Sequence, residues 1–145
     1  MIMKRNCFIL IVLINLLHCL TVTGQKDHAR NPVIWADVPD MSIIRVGNTW
    51  YMTSTTMHMS PGVPVMKSND LVNWELVNYA YNTLGDNDAL NLIDGRNAYG
   101  RGSWASCIRY HNETFYVSTF SSTTNKTYIW STKDIEKGPW KEISF

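Results

Sequence analysis

Cysteine is scarce in this 145-residue chain: Cys7, Cys19 and Cys107 are the whole supply. Two of them fall in an opening segment that reads as a leader, which leaves Cys107 alone. A mature chain with a single cysteine has no internal disulfide and depends on its core for stability. A basic excess of the kind that tracks a nucleic-acid backbone is missing, so no nucleic-acid partner is expected. There is no phosphate-cradling glycine loop followed by Lys, no nucleophile elbow and no HExxH pair. His28, His58 and His111 are scattered, and Cys107 gives them no zinc partner. The stretch "GDNDALNLIDG" lacks the alternating oxygen donors and closing Glu of a calcium loop. We therefore expect neither metal nor cofactor. A sustained helical period is absent as well, which argues against a helical fold.

One long hydrophobic run is present. "CFILIVLINLLHCL" follows Lys4 and Arg5 and precedes "TVTG". It has the length of a signal-peptide core and falls short of the roughly 20 residues of a membrane span. Residues 1–24 are read as a signal peptide cleaved near Gly24, with export to the periplasm or beyond and no membrane attachment afterwards. Cys19 follows His18, which disfavours a lipoprotein. Cleavage removes two basic residues and no acidic one, so 13 basic and 12 acidic residues become 11 and 12. Two sequons, at Asn112 and Asn125, are left unused on the expectation of a bacterial exporter.

What remains is rich in strand and turn residues. "SIIRVGNTWYMTST" is two β-rich runs joined by Gly47-Asn48, a two-residue hairpin signal. "SCIRYHNETFYVSTF" reads the same way. Ser42, Ile44 and Arg45 correspond to Ser106, Ile108 and Arg109 at a spacing of 64, and Tyr51 to Tyr116 one residue later, for which a longer turn is the expected reason. Asp70-Leu71 matches Asp134-Ile135, again 64 apart, and Trp74 matches Trp140. The Asp residues are expected to cap an outer turn and the Trp residues to fill the gap between units. Two copies of a four-strand unit suggest propeller blades, about residues 31–80 and 100–145 of a domain over 25–145. Two blades do not close a ring. The chain is therefore expected to be the N-terminal part of a longer protein, or a truncated product. Between the units, residues 78–104 form a long Gly/Asn/Asp-rich connection, either a solvated loop or a rim that lines a substrate. All six Trp and all seven Tyr lie beyond the leader, as core or as flat faces for sugar rings.

The order of motifs is more specific. "NPVIWADVPDMSIIRVGNTWYM", then "SPGVPVMKSNDLVNWELV", then "GRGSWASCIRYHNETFYV" resemble successive landmarks of glycoside hydrolase family 43, in its β-xylosidase and α-L-arabinofuranosidase branches. The resemblance covers residues 31–145 and only the N-terminal portion of such a domain. It implies an all-β fold, the first two blades of a five-bladed β-propeller. It also implies inverting hydrolysis, in which two carboxyl groups about 6.5–9.5 Å apart hold a water against the sugar. The Pro-Asp-Pro-Ser segment of the family carries its general base, which transfers to Asp40. Asp37 does not match that position and is kept as a substrate-contact candidate, with Trp35, Trp104 and His58 as candidate pocket walls.

The departures matter too. Met41 stands where the family has Pro, Ser106 follows Trp104-Ala105 where it has Pro, and Ser121 aligns with the Asp that modulates the general acid. No general acid is assigned within the chain. The expected function is an exported glycosidase acting on xylose- or arabinose-containing polysaccharides or oligosaccharides. The present chain would be inactive alone. The alternative is a propeller that binds carbohydrate without cutting it. A structural propeller for protein partners is disfavoured by the charged loop from Asp86 to Arg101.

Overall fold

The computed structural model describes residues 30–145. The expected leader, residues 1–24, lies outside the described residues. Residues Pro32–Phe145 form one compact unit. It holds eight strands in two antiparallel meanders. The first sheet runs β1 (Ser42–Val46), β2 (Thr49–Thr53), β3 (Gly62–Ser68) and β4 (Glu75–Tyr81). The second runs β5 (Cys107–His111), β6 (Thr114–Ser121), β7 (Lys126–Thr132) and β8 (Lys141–Ser144). In each sheet, strands adjacent in sequence are adjacent in space. The innermost strands of the two sheets meet, with Ile108 N–H donating to Ser42 Oγ at 3.2 Å.

Both hairpin turns are two residues long. Val46 pairs with Thr49 across Gly47-Asn48, and His111 pairs with Thr114 across Asn112-Glu113. Gly47 takes φ 61°, while Asn112 and Glu113 both take positive φ, the twist that two-residue hairpins require. This corrects the repeat. Ile44 faces Tyr51 and Arg109 faces Tyr116, so the inner hairpins are related by 65 residues and not 64. Further out, Trp50 pairs with Ser68 but Phe115 pairs with Thr132, which brings the spacing to 64. The longer turn expected in the second hairpin is not there. The one-residue difference sits in the β2–β3 connection.

The core lies between the sheets. Val63, Val65, Ile108, Val117 and Trp130 are all but inaccessible, and full burial of a Val or Ile contributes about 1.5–3 kcal/mol. Tyr81 stacks on Trp130 at 5.2 Å, and Tyr128 stacks on the same indole at 5.5 Å. Tyr51 of the first sheet meets Phe115 of the second edge-on at 5.3 Å.

The outer turns are built alike. Asp70 Oδ1 accepts the backbone N–H of Val72 at 2.9 Å and of Asn73 at 2.7 Å. Asp134 Oδ1 accepts from Glu136 at 3.1 Å and Lys137 at 3.0 Å. The two Trp residues part company. Trp140 packs against the core. Trp74 folds back on its own turn and donates to Leu71 O at 3.1 Å.

Candidate carbohydrate cleft

The chain entering β1, the chain leaving β2 and the β4–β5 connection converge at one end of the sheets. They enclose a cleft of about 400 Å³ lined by Asp37, Pro39, Thr55–Met59, Tyr99, Gly100 and Trp104. Three of the side chains singled out from sequence, Asp37, His58 and Trp104, are brought together there. Asp40 adjoins it, one residue past Pro39. Trp35 does not line it, and its side chain is 89% exposed.

The Asp40 backbone sits at φ 51°, a left-handed conformation that Asp tolerates better than most residues. That turn is pinned from behind, since Ser54 Oγ donates to Pro39 O at 2.5 Å. Ser106, which stands where the related motif has Pro, puts its hydroxyl 2.9 Å from Thr53 Oγ1 and 3.2 Å from Ser54 O. A polar contact between the sheets thus occupies the place of a rigid ring. Asp40 itself is exposed, so its carboxylate remains open to water.

The floor is a net of buried hydroxyls. Thr55 Oγ1 donates to Ser103 O at 2.6 Å and accepts from Met57 N–H at 2.9 Å. Ser103 N–H donates to Met57 O at 2.8 Å. The chain approaches itself so closely here that a Cβ on Gly102 would collide with the Met57 carbonyl and lie 2.7 Å from His58 Cα. The His58 ring meets Tyr99 edge-on at 5.3 Å, and its Nδ1 is buried without a hydrogen-bond partner among the described residues. Thr119 Oγ1 donates to Trp104 O at 2.6 Å, and Trp104 N–H donates to Phe120 O at 2.9 Å, which fixes the backbone that carries the indole. Tyr99 and Gly102 escaped the sequence reading. The pattern "NAYGRGSW", an aromatic residue among glycines in a long connection, was the one available signal.

Ser121 is fully buried at the end of β6. Its Oγ lies 3.5 Å from Arg101 O, and its backbone is bridged to Ser103. Among the described residues no cluster of three or more His, Cys, Asp or Glu is arranged to hold a metal.

Two stacked four-stranded meanders with a cleft at their strand mouths are blades of a β-propeller. The particular family follows from comparison. The family model for glycosyl hydrolases family 43 matches residues 29–144, and the chain belongs to that family. It is 39% identical to a beta-xylosidase of Formosa agariphila over 77% of its own length and 18% of that protein. It is 35% identical to a non-reducing end alpha-L-arabinofuranosidase of Bacteroides ovatus over 97% of its length and 26% of that protein. Among solved structures, a bifunctional GH43-CE protein of Bacteroides eggerthii is 68% identical with a TM-score of 0.77, over 81% of this chain and 16% of that one. The chain thus spans about a quarter or less of the length of these relatives.

Proposed function

We propose that the whole protein is an exported glycosidase that hydrolyses xylose- or arabinose-containing plant polysaccharides or oligosaccharides with inversion. In this reading Asp40 is the general base, and Asp37, His58 and Trp104 contact the sugar. One observation carries it: the cleft gathers a carboxylate, an imidazole and aromatic rings immediately beside Asp40. Its supports are the family membership and the beta-xylosidase and alpha-L-arabinofuranosidase names of the relatives. The chemistry suits the position. A general base must be ionised and must reach a water on one face of the sugar ring. An exposed carboxylate on a turn held by Ser54 meets both needs. The matching acid is assigned to no residue of this chain. In the whole protein, Asp40→Asn should lower turnover of aryl xylosides or arabinosides by about 100-fold or more with the fold intact. An unchanged rate would remove Asp40 from the role.

A second reading, carbohydrate binding without cleavage, draws on Ser121. A buried hydroxyl supplies no negative charge to raise the pKa of a neighbouring acid. Following the anomeric proton signals of xylo-oligosaccharides mixed with the whole protein separates the readings. Appearance of the inverted anomer supports hydrolysis, and binding with no product supports the alternative.

A further inference from the structure

We propose a second carbohydrate-binding site, on the outer rim between the two blades and separate from the cleft. A groove of about 450 Å³ lies between the end of β4, with Asn82 and Thr83 beyond it, and the Lys137–Glu142 segment that leads into β8. It shares no lining residue with the cleft. Tyr79 and Trp140 stand half-buried in its walls, with Trp130 buried behind. Asn82, Thr83 and Lys137 line it too, exposed and with no side-chain hydrogen bond among the described residues. One carboxylate oxygen of Glu142 accepts from Trp130 Nε1 at 2.9 Å, and the other has no partner among the described residues. The indole N–H of Trp140 is buried with no partner among the described residues, an orphaned donor in the groove wall.

These groups select a ligand class. Lys137 and Glu142 offset each other in charge, which favours a neutral ligand over a phosphate or a cation. Donors and acceptors are interleaved, which suits hydroxyls, since each hydroxyl both gives and accepts. Aromatic side chains offer flat apolar surface for the C–H face of a pyranose ring, and Trp and Tyr pair that surface with a polar tip. The combination fits a neutral oligosaccharide. A second site of this kind would tether a polymeric chain whose other portion occupies the cleft. The inference rests on the proposed glycosidase reading for its choice of probe.

The test is a nitrogen–proton NMR titration of the full chain carrying Asp40→Asn, with xylohexaose as the probe. The Trp140 indole signal reports the rim and the Trp104 indole signal reports the cleft. The expected result is a saturable shift of the Trp140 signal. Joint Asn82→Ala and Lys137→Ala substitution, both at exposed positions, should abolish that shift and leave Trp104 unaffected. Trp140→Phe, which keeps an aromatic face but removes the N–H and with it the rim's indole signal, should weaken binding at the rim alone, read from the side-chain amide signal of Asn82. A shift at Trp140 without one at Trp104 supports the rim site and counts against the cleft reading only. A shift at Trp104 alone, no shift at either, or a Trp140 shift that survives the double substitution overturns the proposal.

Discussion

Single residues at the cleft work mainly by where they place the backbone. Gly102 contributes no side chain, yet it sets the distance between the β4–β5 connection and the Met57-His58 segment. Its reason for being glycine is contact and not φ, because the neighbour is main chain and cannot swing away. Gly102→Ala should therefore destabilise the protein by about 3 kcal/mol, the upper part of the range for overpacked sites. It should also widen the cleft and weaken sugar binding. Urea unfolding measures the first effect, and a titration with xylohexaose measures the second. A variant as stable as the parent would mean that the two segments can part freely. Asp37, His58 and Trp104 were legible as candidates because each lies in or beside a stretch that resembles a family landmark, although Asp37 itself matches no catalytic position there. Tyr99 and Gly102 were not, since nothing local in "NAYGRGSW" says that the loop returns to the end of β2. That approach is a tertiary fact, set by the hydrogen bond from Ser103 N–H to Met57 O and by the Thr55 hydroxyl between them.

The hairpins and outer turns were the most legible elements, because their chemistry is local. Two-residue turns announce themselves by Gly or Asn, and Ser-x-Asp or Thr-x-Asp announces a side chain that caps the next backbone amides. The alignment of the repeats was less legible. Ile44 resembles Ile108 in type, but cross-strand pairing equates Ile43 with Ile108 and Ile44 with Arg109. Side-chain likeness misled where register decided. The Asp70 turn carries a pH prediction. The Asn73 backbone N–H, then the Asn73 side chain and the Val72 N–H, hold the Asp70 carboxyl well below the usual carboxylate range. Its pKa is depressed on folding, so its contribution is present above the ordinary Asp value near 3.9 and fades as pH falls through the lower folded value. A carbon-detected titration should find Asp70 still ionised at a pH where an unperturbed Asp carboxyl, near 3.9, is half protonated. Asp70→Ala should flatten the acid limb of the stability profile. An Asp70 that titrates at the ordinary Asp value would mean that the capping bonds do not hold its carboxylate.

At the scale of the whole unit, the two sheets are held by more than apolar packing. Glu136, in the β7–β8 connection, reaches across to the first sheet. It accepts from Tyr51 of β2 at 3.1 Å and from Lys67 of β3 at 2.6 Å. Asn78 of β4 adds a bond to Ile135 O at 3.0 Å. This clasp was invisible in the sequence, where Glu136 reads as one acid in an outer turn. The all-β, two-blade architecture was visible, because it is written in turn spacing and repeated strands. Burial, and then the bond to Glu136, raise the Tyr51 phenol above its usual value. A group whose folded pKa is raised stabilises the protein below its unfolded pKa and loses that contribution as pH climbs through the folded value. The clasp should thus persist past the ordinary tyrosine value of about 10 and fail above it. A double-mutant cycle with Tyr51→Phe and Glu136→Gln should return a coupling of about 1 kcal/mol near neutral pH, the range for a partly solvated bond to a charged group. The same cycle repeated at rising alkaline pH should shrink toward zero only after tyrosines in general have begun to ionise. Strict additivity of the two substitutions at neutral pH would remove the Tyr51–Glu136 bond from what joins the sheets and leave Lys67, Asn78 and the core.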